Sequence, residues 1–172
     1  MKLLLTGRPG VGKTTVIRRT LEEIDLDAGG FYTEELREGG KRVGFVVRDL
    51  EGRKGLLAHI GLERGPRVGK YRVDVRSFEQ VALEALRRAL KEKPLVVVDE
   101  IGKMELFSEG FRDLVLKALR SDRHILGVIP VGGHPFIEEI KGLEGVEVWE
   151  VTPGNREEMP LRIASRLKME LR

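Results

Sequence analysis

The sequence predicts an α/β fold: a mainly parallel sheet with helices on both faces and a β-hairpin insertion. Three observations lead there. Short apolar runs alternate with stretches of helical period along most of the chain. Leu95-Val96-Val97-Val98 is apolar on both faces, as a central parallel strand must be. Residues 28–76 break the alternation, with two β-like runs flanking the turn signal Glu38-Gly39-Gly40-Lys41. A length of 172 residues suits one domain, 1–172, with the β-rich segment as its insertion.

Leu3-Leu4-Leu5 is a short buried-type strand stopped by Gly7. From Lys13 the period turns helical. Val16, Ile17, Thr20, Leu21 and Ile24 share one face, and Arg18, Arg19, Glu22 and Glu23 the other. Residues 30–34 and 43–47 form the hairpin. A basic, glycine-rich stretch follows, carrying Arg64, Arg67 and Lys70, and residues 71–75 read as another strand. Ser77 and Gln80 have the spacing of a capping box. The helix they open buries Phe78, Val81, Ala82, Ala85, Leu86, Ala89 and Leu90, and Pro94 ends it. After the 95–98 strand, a helix over 109–120 turns Phe111, Leu114, Val115, Ala118 and Leu119 inward. Residues 124–131 form a strand ended by Gly132-Gly133, and a short helix starts near Pro135. Residues 146–151 are the last strand. The closing helix, 160–171, sets Leu161, Ala164, Leu167 and Leu171 on one side.

Composition narrows the function. Apolar residues reach 41%, too many for a disordered chain. The absence of cysteine excludes disulfides, thiolate zinc sites and cysteine nucleophiles. Charged residues at 34%, with few Asn and Gln, resemble hyperthermophile usage. The net charge of +3 is spread among interspersed acids and bases, which reads as a solvated surface. Nine aromatics, not interleaved with a basic run, give no nucleic-acid signature. The N-terminal apolar run is too short for a signal peptide or membrane span. The expectation is a cytoplasmic monomer with no membrane partner.

The chemistry starts at Gly7-Arg8-Pro9-Gly10-Val11-Gly12-Lys13-Thr14, which matches G-x-x-x-x-G-K-[ST] between a strand and a helix. Gly7, Gly10 and Gly12 permit backbone angles and close approaches that a Cβ would block. The loop amides and the helix N-terminus then point at phosphate oxygens. Lys13 brings a compact positive charge to the β- and γ-phosphates, and Thr14 a hydroxyl for Mg²⁺. The ligand is a nucleoside triphosphate with magnesium. Asp99-Glu100 ends the 95–98 strand. A carboxylate on a neighbouring strand is what such a loop needs to hold magnesium, and Asp99 fits. Glu100 is placed to polarise a water for attack on the γ-phosphate.

Asp99-Glu100-Ile101-Gly102-Lys103-Met104-Glu105-Leu106 resembles the second nucleotide motif of the small nucleoside-triphosphatase family of thermophilic archaea and bacteria, relatives of the cancer-related nucleoside-triphosphatase. Gly30-Phe31-Tyr32-Thr33-Glu34, Val68-Gly69-Lys70-Tyr71 and residues 152–156 share the likeness, which spans nearly the whole chain. The resemblance implies a RecA-like P-loop NTPase. It implies Mg²⁺-dependent hydrolysis of ATP, GTP, CTP, UTP and TTP to diphosphates, with nucleotide contacts along residues 7–14 and 95–102. Transfer of the γ-phosphate to a nucleotide or small molecule is the alternative, with residues 61–72 as an arginine-bearing lid.

Other residues carry two readings each. Glu34 and Glu35 are solvated hairpin carboxylates or face the magnesium site. His134 is a loop histidine or a γ-phosphate sensor; His59 and His124 are plain structural or surface residues. Asn155 opens a helix or touches the base, and Arg156 lies free or stacks on it. Arg64, Arg67, Lys70 and Arg72 form a solvated basic face or supply an arginine finger. Trp149 belongs to the core.

Overall fold

A computed structural model describes residues 1–170. β1 (Lys2–Thr6) runs through the glycine loop into α1 (Lys13–Glu23). β2 (Ala28–Glu38) and β3 (Lys41–Asp49) form the hairpin, which β4 (Lys54–His59), β5 (Arg67–Val68) and β6 (Tyr71–Val73) extend. α2 (Val75–Glu92) returns the chain to β7 (Leu95–Asp99). A 3-10 turn at Glu105–Phe107, α3 (Glu109–Leu119), β8 (His124–Val128), α4 (Pro135–Lys141), β9 (Val146–Glu150) and α5 (Met159–Glu170) follow.

The nine strands form one sheet in the order β5-β6-β4-β3-β2-β7-β8-β1-β9. β2, β7, β8, β1 and β9 are parallel to one another, and the pairings from β2–β3 outward are antiparallel. The segment read as an insertion is therefore part of the main sheet. Ala28 to Phe31 pair in parallel with Leu95 to Val98, and only the rest of β2 projects as hairpin. Gly30 makes this junction possible: at φ +114°, a Cβ there would stand 2.0 Å from the Val97 carbonyl oxygen.

The core obeys the alternation of strands. Leu4, Val96, Val98 and Ile125 face α2, α3 and α4. Leu3, Leu5, Leu95, Val97, Leu126 and Val128 face α1 and α5. Phe31, Phe78 and Phe111 join β2, α2 and α3 through edge-to-face contacts, with ring centres 5.2–5.7 Å apart.

Several local expectations need correction. The strand from His124 ends at Val128 and not at 131. The strand at 71 ends at Val73, and Asp74, not Ser77, caps α2 by accepting from the Ser77 amide at 3.0 Å. Both residues have capping chemistry; the point where β6 leaves the sheet decides between them. In α5 the inward face is Met159, Ile163 and Leu167, spaced four apart, while Leu161 is 57% exposed. Leu171 lies outside the described residues. Among the described residues no helix is long and apolar enough to cross a membrane.

Candidate active site

The loop after β1 takes the form its glycines permit. Gly7, Gly10 and Gly12 have φ of 145°, 76° and 110°. A Cβ on Gly7 would meet the Val151 carbonyl oxygen at 2.6 Å. Gly12 is the N-cap of α1, and no side chain caps the helix. The amides of its first turn are left to an anion from outside the helix. Lys13 donates from Nζ to the Gly7 carbonyl at 2.7 Å, which places its charge over the loop.

The carboxylate strand is not adjacent to β1, because β8 lies between β1 and β7. α1 closes the gap: Thr14 Oγ1 donates to Asp99 Oδ2 at 2.7 Å. Asp99 is 2% exposed. Burial pushes its carboxyl up to about 7; the Thr14 hydrogen bond opposes this and the neighbouring Glu100 charge adds to it. Glu100 is also raised by burial, with Lys13 pulling it back. Glu105 is buried beneath them, raised well above the carboxylate range by burial and by Glu100. It accepts from the Gly102 amide at 3.3 Å.

Lys13, Thr14, Asp99 and Glu100 open on one cleft of about 380 Å³. Its opposite side is the hairpin, which contributes Thr33, Glu34, Glu35, Arg42 and Phe45. Glu34 is paired with Arg48, and Glu35 with Arg37 and Arg42. On the other flank of the loop, a slot of about 300 Å³ is lined by Gly10, Val11, Gly12, Arg19 and Arg156. An apolar recess of about 280 Å³ runs under α1 between Ile17, Leu21, Tyr32 and Val97, ending at Thr14 and Asp99.

The sequence candidates divide accordingly. Pro9, Gly10, Gly12, Lys13, Thr14, Asp99 and Glu100 line the phosphate cleft, and Glu34 and Glu35 join them. Leu95, Val96 and Val98 are sealed in the sheet, and Ile101 is buried in the core. None of these four lines the phosphate cleft. Val97 lines the apolar recess and not the phosphate cleft. Gly102 packs against Glu100 and Glu105. These residues carry the carboxylates and do not touch the cleft. Arg8 is exposed at the loop's tip and does not line it.

His134 caps α4, its Nδ1 accepting from the Phe136 amide at 3.0 Å. His59 accepts from the Gly61 amide, and His124 pairs with the N-terminal amine. Asn155 spends its side chain on the Thr152 amide and the Glu150 carbonyl. Trp149 packs on the α1–α5 side of the core. Residues 61–72 lie at the far edge of the sheet, separated from β7 by β4, β3 and β2, so they do not cover the loop. Arg42 and Phe45 were missed. Their signal lay in the hairpin register: a two-residue Gly39-Gly40 turn pairs Glu38 with Lys41 and Arg37 with Arg42.

A nine-stranded α/β sheet with a glycine loop after β1 and carboxylates after β7 defines the class: a phosphate-binding-loop NTPase. The comparisons agree. A family model described as NTPase matches residues 2–164. The chain is 46% identical to the nucleoside-triphosphatase THEP1 of Thermotoga maritima over 168 residues, 98% of this chain and 96% of that one. The crystal structure of THEP1 from the hyperthermophile Aquifex aeolicus superposes with a TM-score of 0.88 at 39% identity, covering 97% of this chain and 99% of that one. The solution structure of a human cancer-related nucleoside triphosphatase gives 0.83 at 44% identity, covering 98% and 97%. The chain belongs to this nucleoside-triphosphatase family, and is an enzyme of that class, as its motifs implied.

Proposed function

We propose that the protein hydrolyses nucleoside triphosphates, ATP, GTP, CTP, UTP and TTP, to the diphosphate and inorganic phosphate, with Mg²⁺ and little base preference. The observation that carries this is the convergence of Lys13, the Thr14–Asp99 pair and Glu100 on one cleft. The loop amides and Lys13 hold the β- and γ-phosphates. Glu100, partly desolvated and beside the cleft, accepts a proton from a water as its oxygen attacks the γ-phosphorus. The bond to the bridging oxygen breaks, and the diphosphate leaves with that electron pair.

The donor set fits magnesium. A hydroxyl and a carboxylate converge 2.7 Å apart beside a phosphate cleft, and Mg²⁺ is commonly held by one or two carboxylates together with substrate phosphates. Thr14 and Asp99 would hold the ion, which neutralises phosphate charge when bound.

Breadth toward bases is supported by the slot beyond the loop. Arg19 and Arg156 line it and offer guanidinium faces there, while Asn155 spends its amide oxygen and one amide hydrogen on the backbone. Stacking on a guanidinium accepts every base. The continuous sheet supports action as a monomer, and a cytoplasmic location belongs to the same proposal.

Transfer to an acceptor has one observation on its side, the apolar recess ending at Thr14 and Asp99. One assay tests both readings: phosphate release from each triphosphate with Mg²⁺, at elevated temperature, with and without nucleosides and nucleotides as acceptors. Release independent of acceptor supports hydrolysis. A phosphorylated acceptor formed in place of free phosphate would replace it with transfer.

A further inference from the structure

We infer that Arg42 is the arginine finger of this site, supplied in cis by the β2–β3 hairpin; this rests on the hydrolase reading above. Two residues lining the phosphate cleft are cationic, Lys13 and Arg42, and four are carboxylates, Glu34, Glu35, Asp99 and Glu100. Breaking the terminal phosphoanhydride spreads negative charge over the γ-oxygens and the bridging oxygen. Lys13 meets it from the loop side, where it is tied to the Gly7 carbonyl. On the hairpin side the lining carries Glu34, Glu35 and Arg42, and of the two carboxylates Arg42 pairs with Glu35.

The guanidinium is held in place by the hairpin's own residues. Nε donates to Tyr71 Oη at 2.9 Å, and Nη1 donates to Glu35 Oε1 at 3.2 Å. Its carbon lies 5.3 Å from the Phe45 ring centre and 5.8 Å from that of Tyr71. A hydrogen bond, an ion pair and two aromatic faces fix its plane, yet the side chain keeps 44% of its surface exposed. A guanidinium carries about five N–H donors. Two are engaged here, which leaves the other Nη1 hydrogen and both on Nη2 for phosphate oxygens. Such preorganised donors stabilise developing charge without reorganising during the reaction.

The other cations nearby lack this placement. Arg48 is paired with Glu34 and Arg37 with Glu35, and neither lines the cleft. Arg72 donates to the Gly65 carbonyl at 2.9 Å. Arg64 lines a different cavity at the far edge of the sheet.

Arg42→Ala and Arg42→Lys in the full chain test the assignment. Steady-state turnover of MgATP and MgGTP gives kcat; a fluorescent ADP analogue, with and without aluminium fluoride, reports ground-state and transition-state binding. In Arg42→Ala kcat should fall by about a hundredfold or more. ADP affinity should change by less than about threefold, and the tightening by aluminium fluoride should disappear. Arg42→Lys should recover only part, because an ammonium cannot hold Tyr71 and Glu35 and still present a planar fork. Tyr71→Phe keeps the ring, drops the bond and should lower kcat several-fold at an unchanged melting temperature, which separates positioning from folding. Arg42→Ala turnover within about threefold of the unmutated protein overturns the finger. If the unmutated protein itself releases no phosphate, the hydrolase reading falls separately. Fluoride-dependent tightening then decides Arg42 alone: lost in Arg42→Ala it upholds the contact, retained it overturns it.

Discussion

Replacing Asp99 by asparagine should make the protein more stable and less able to work. The carboxyl is 2% exposed, and burial moves its pKa from 3.8 up to about 7 against the opposing Thr14 hydrogen bond. A carboxyl that titrates higher in the folded chain than in the unfolded one binds protons more readily when folded. Folding is then favoured by acid. The ionised group destabilises the native state fully above about pH 7, progressively less as the pH falls, and not at all below 3.8. The interval from 3.8 to about 7 corresponds to at most roughly 4 kcal/mol. At pH 5 the same arithmetic leaves about 2 kcal/mol. Asn has the same shape, carries no charge, and its amide oxygen still accepts from Thr14. In EDTA without nucleotide, Asp99→Asn should exceed the unmutated protein by up to about 4 kcal/mol at pH 8. For a domain of this length that is on the order of 10 °C in Tm. Guanidinium unfolding followed by far-ultraviolet circular dichroism at pH 8 and pH 5 measures both values. MgATP should raise the Tm of the unmutated protein by more than that of the variant, which keeps Lys13 and the loop amides but loses a magnesium ligand. A variant no more stable at pH 8, or an advantage that does not shrink toward pH 5, refutes the reasoning.

Glu100→Gln should keep triphosphate binding and lose about two to four orders of magnitude in kcat, and equal turnover in the two proteins removes Glu100 as the base. Lys13→Ala should abolish tight triphosphate binding by titration calorimetry; an unchanged Kd would contradict its assignment to the phosphates. Gly102→Ala introduces a Cβ 3.1 Å from Glu100 Cγ and 3.1 Å from Glu105 Oε2, at a position without positive φ. It should therefore displace the Glu100 carboxylate without unfolding the chain, lowering kcat by about tenfold or more while ADP affinity holds. A kcat equal to that of the unmutated protein would show that Glu100 does not depend on this packing.

What could be read from the sequence was what is local in it. The glycine loop needs eight consecutive residues to be recognised, and the 95–98 run announces a doubly buried strand with Asp99-Glu100 at its end. The rest depends on pairing. Arg42 reads as one more hairpin cation until the register sets Glu35 opposite Phe45 and Tyr71 reaches the guanidinium from β6. β4 has a Lys-Gly start and no clean alternation, and it becomes a strand because β3 and β6 flank it. Glu105 looks like a surface carboxylate in the sequence. Its burial follows from the 3-10 turn folding back, with the Leu106 amide donating to the Gly102 carbonyl at 3.0 Å.

The sheet order also bears on the direction proposed for the ligand. The hairpin continues the sheet beyond β7, while β9 continues it beyond β1, and the residues after β9 carry Arg156. The glycine loop stands between the two, lining the phosphate cleft on the hairpin side and the Arg19–Arg156 slot on the other. On the proposed reading, a triphosphate cradled by that loop would set its γ-phosphate toward Glu100 and Arg42 and its base toward Arg156. This polarity separates the two arginines functionally. Loss of Arg42 should appear in turnover for every triphosphate alike. Loss of Arg156 should appear in KM, most strongly for purines, whose larger faces gain more from stacking. An Arg156→Ala effect confined to kcat would reverse the direction and, with it, the placing of the γ-phosphate at the hairpin.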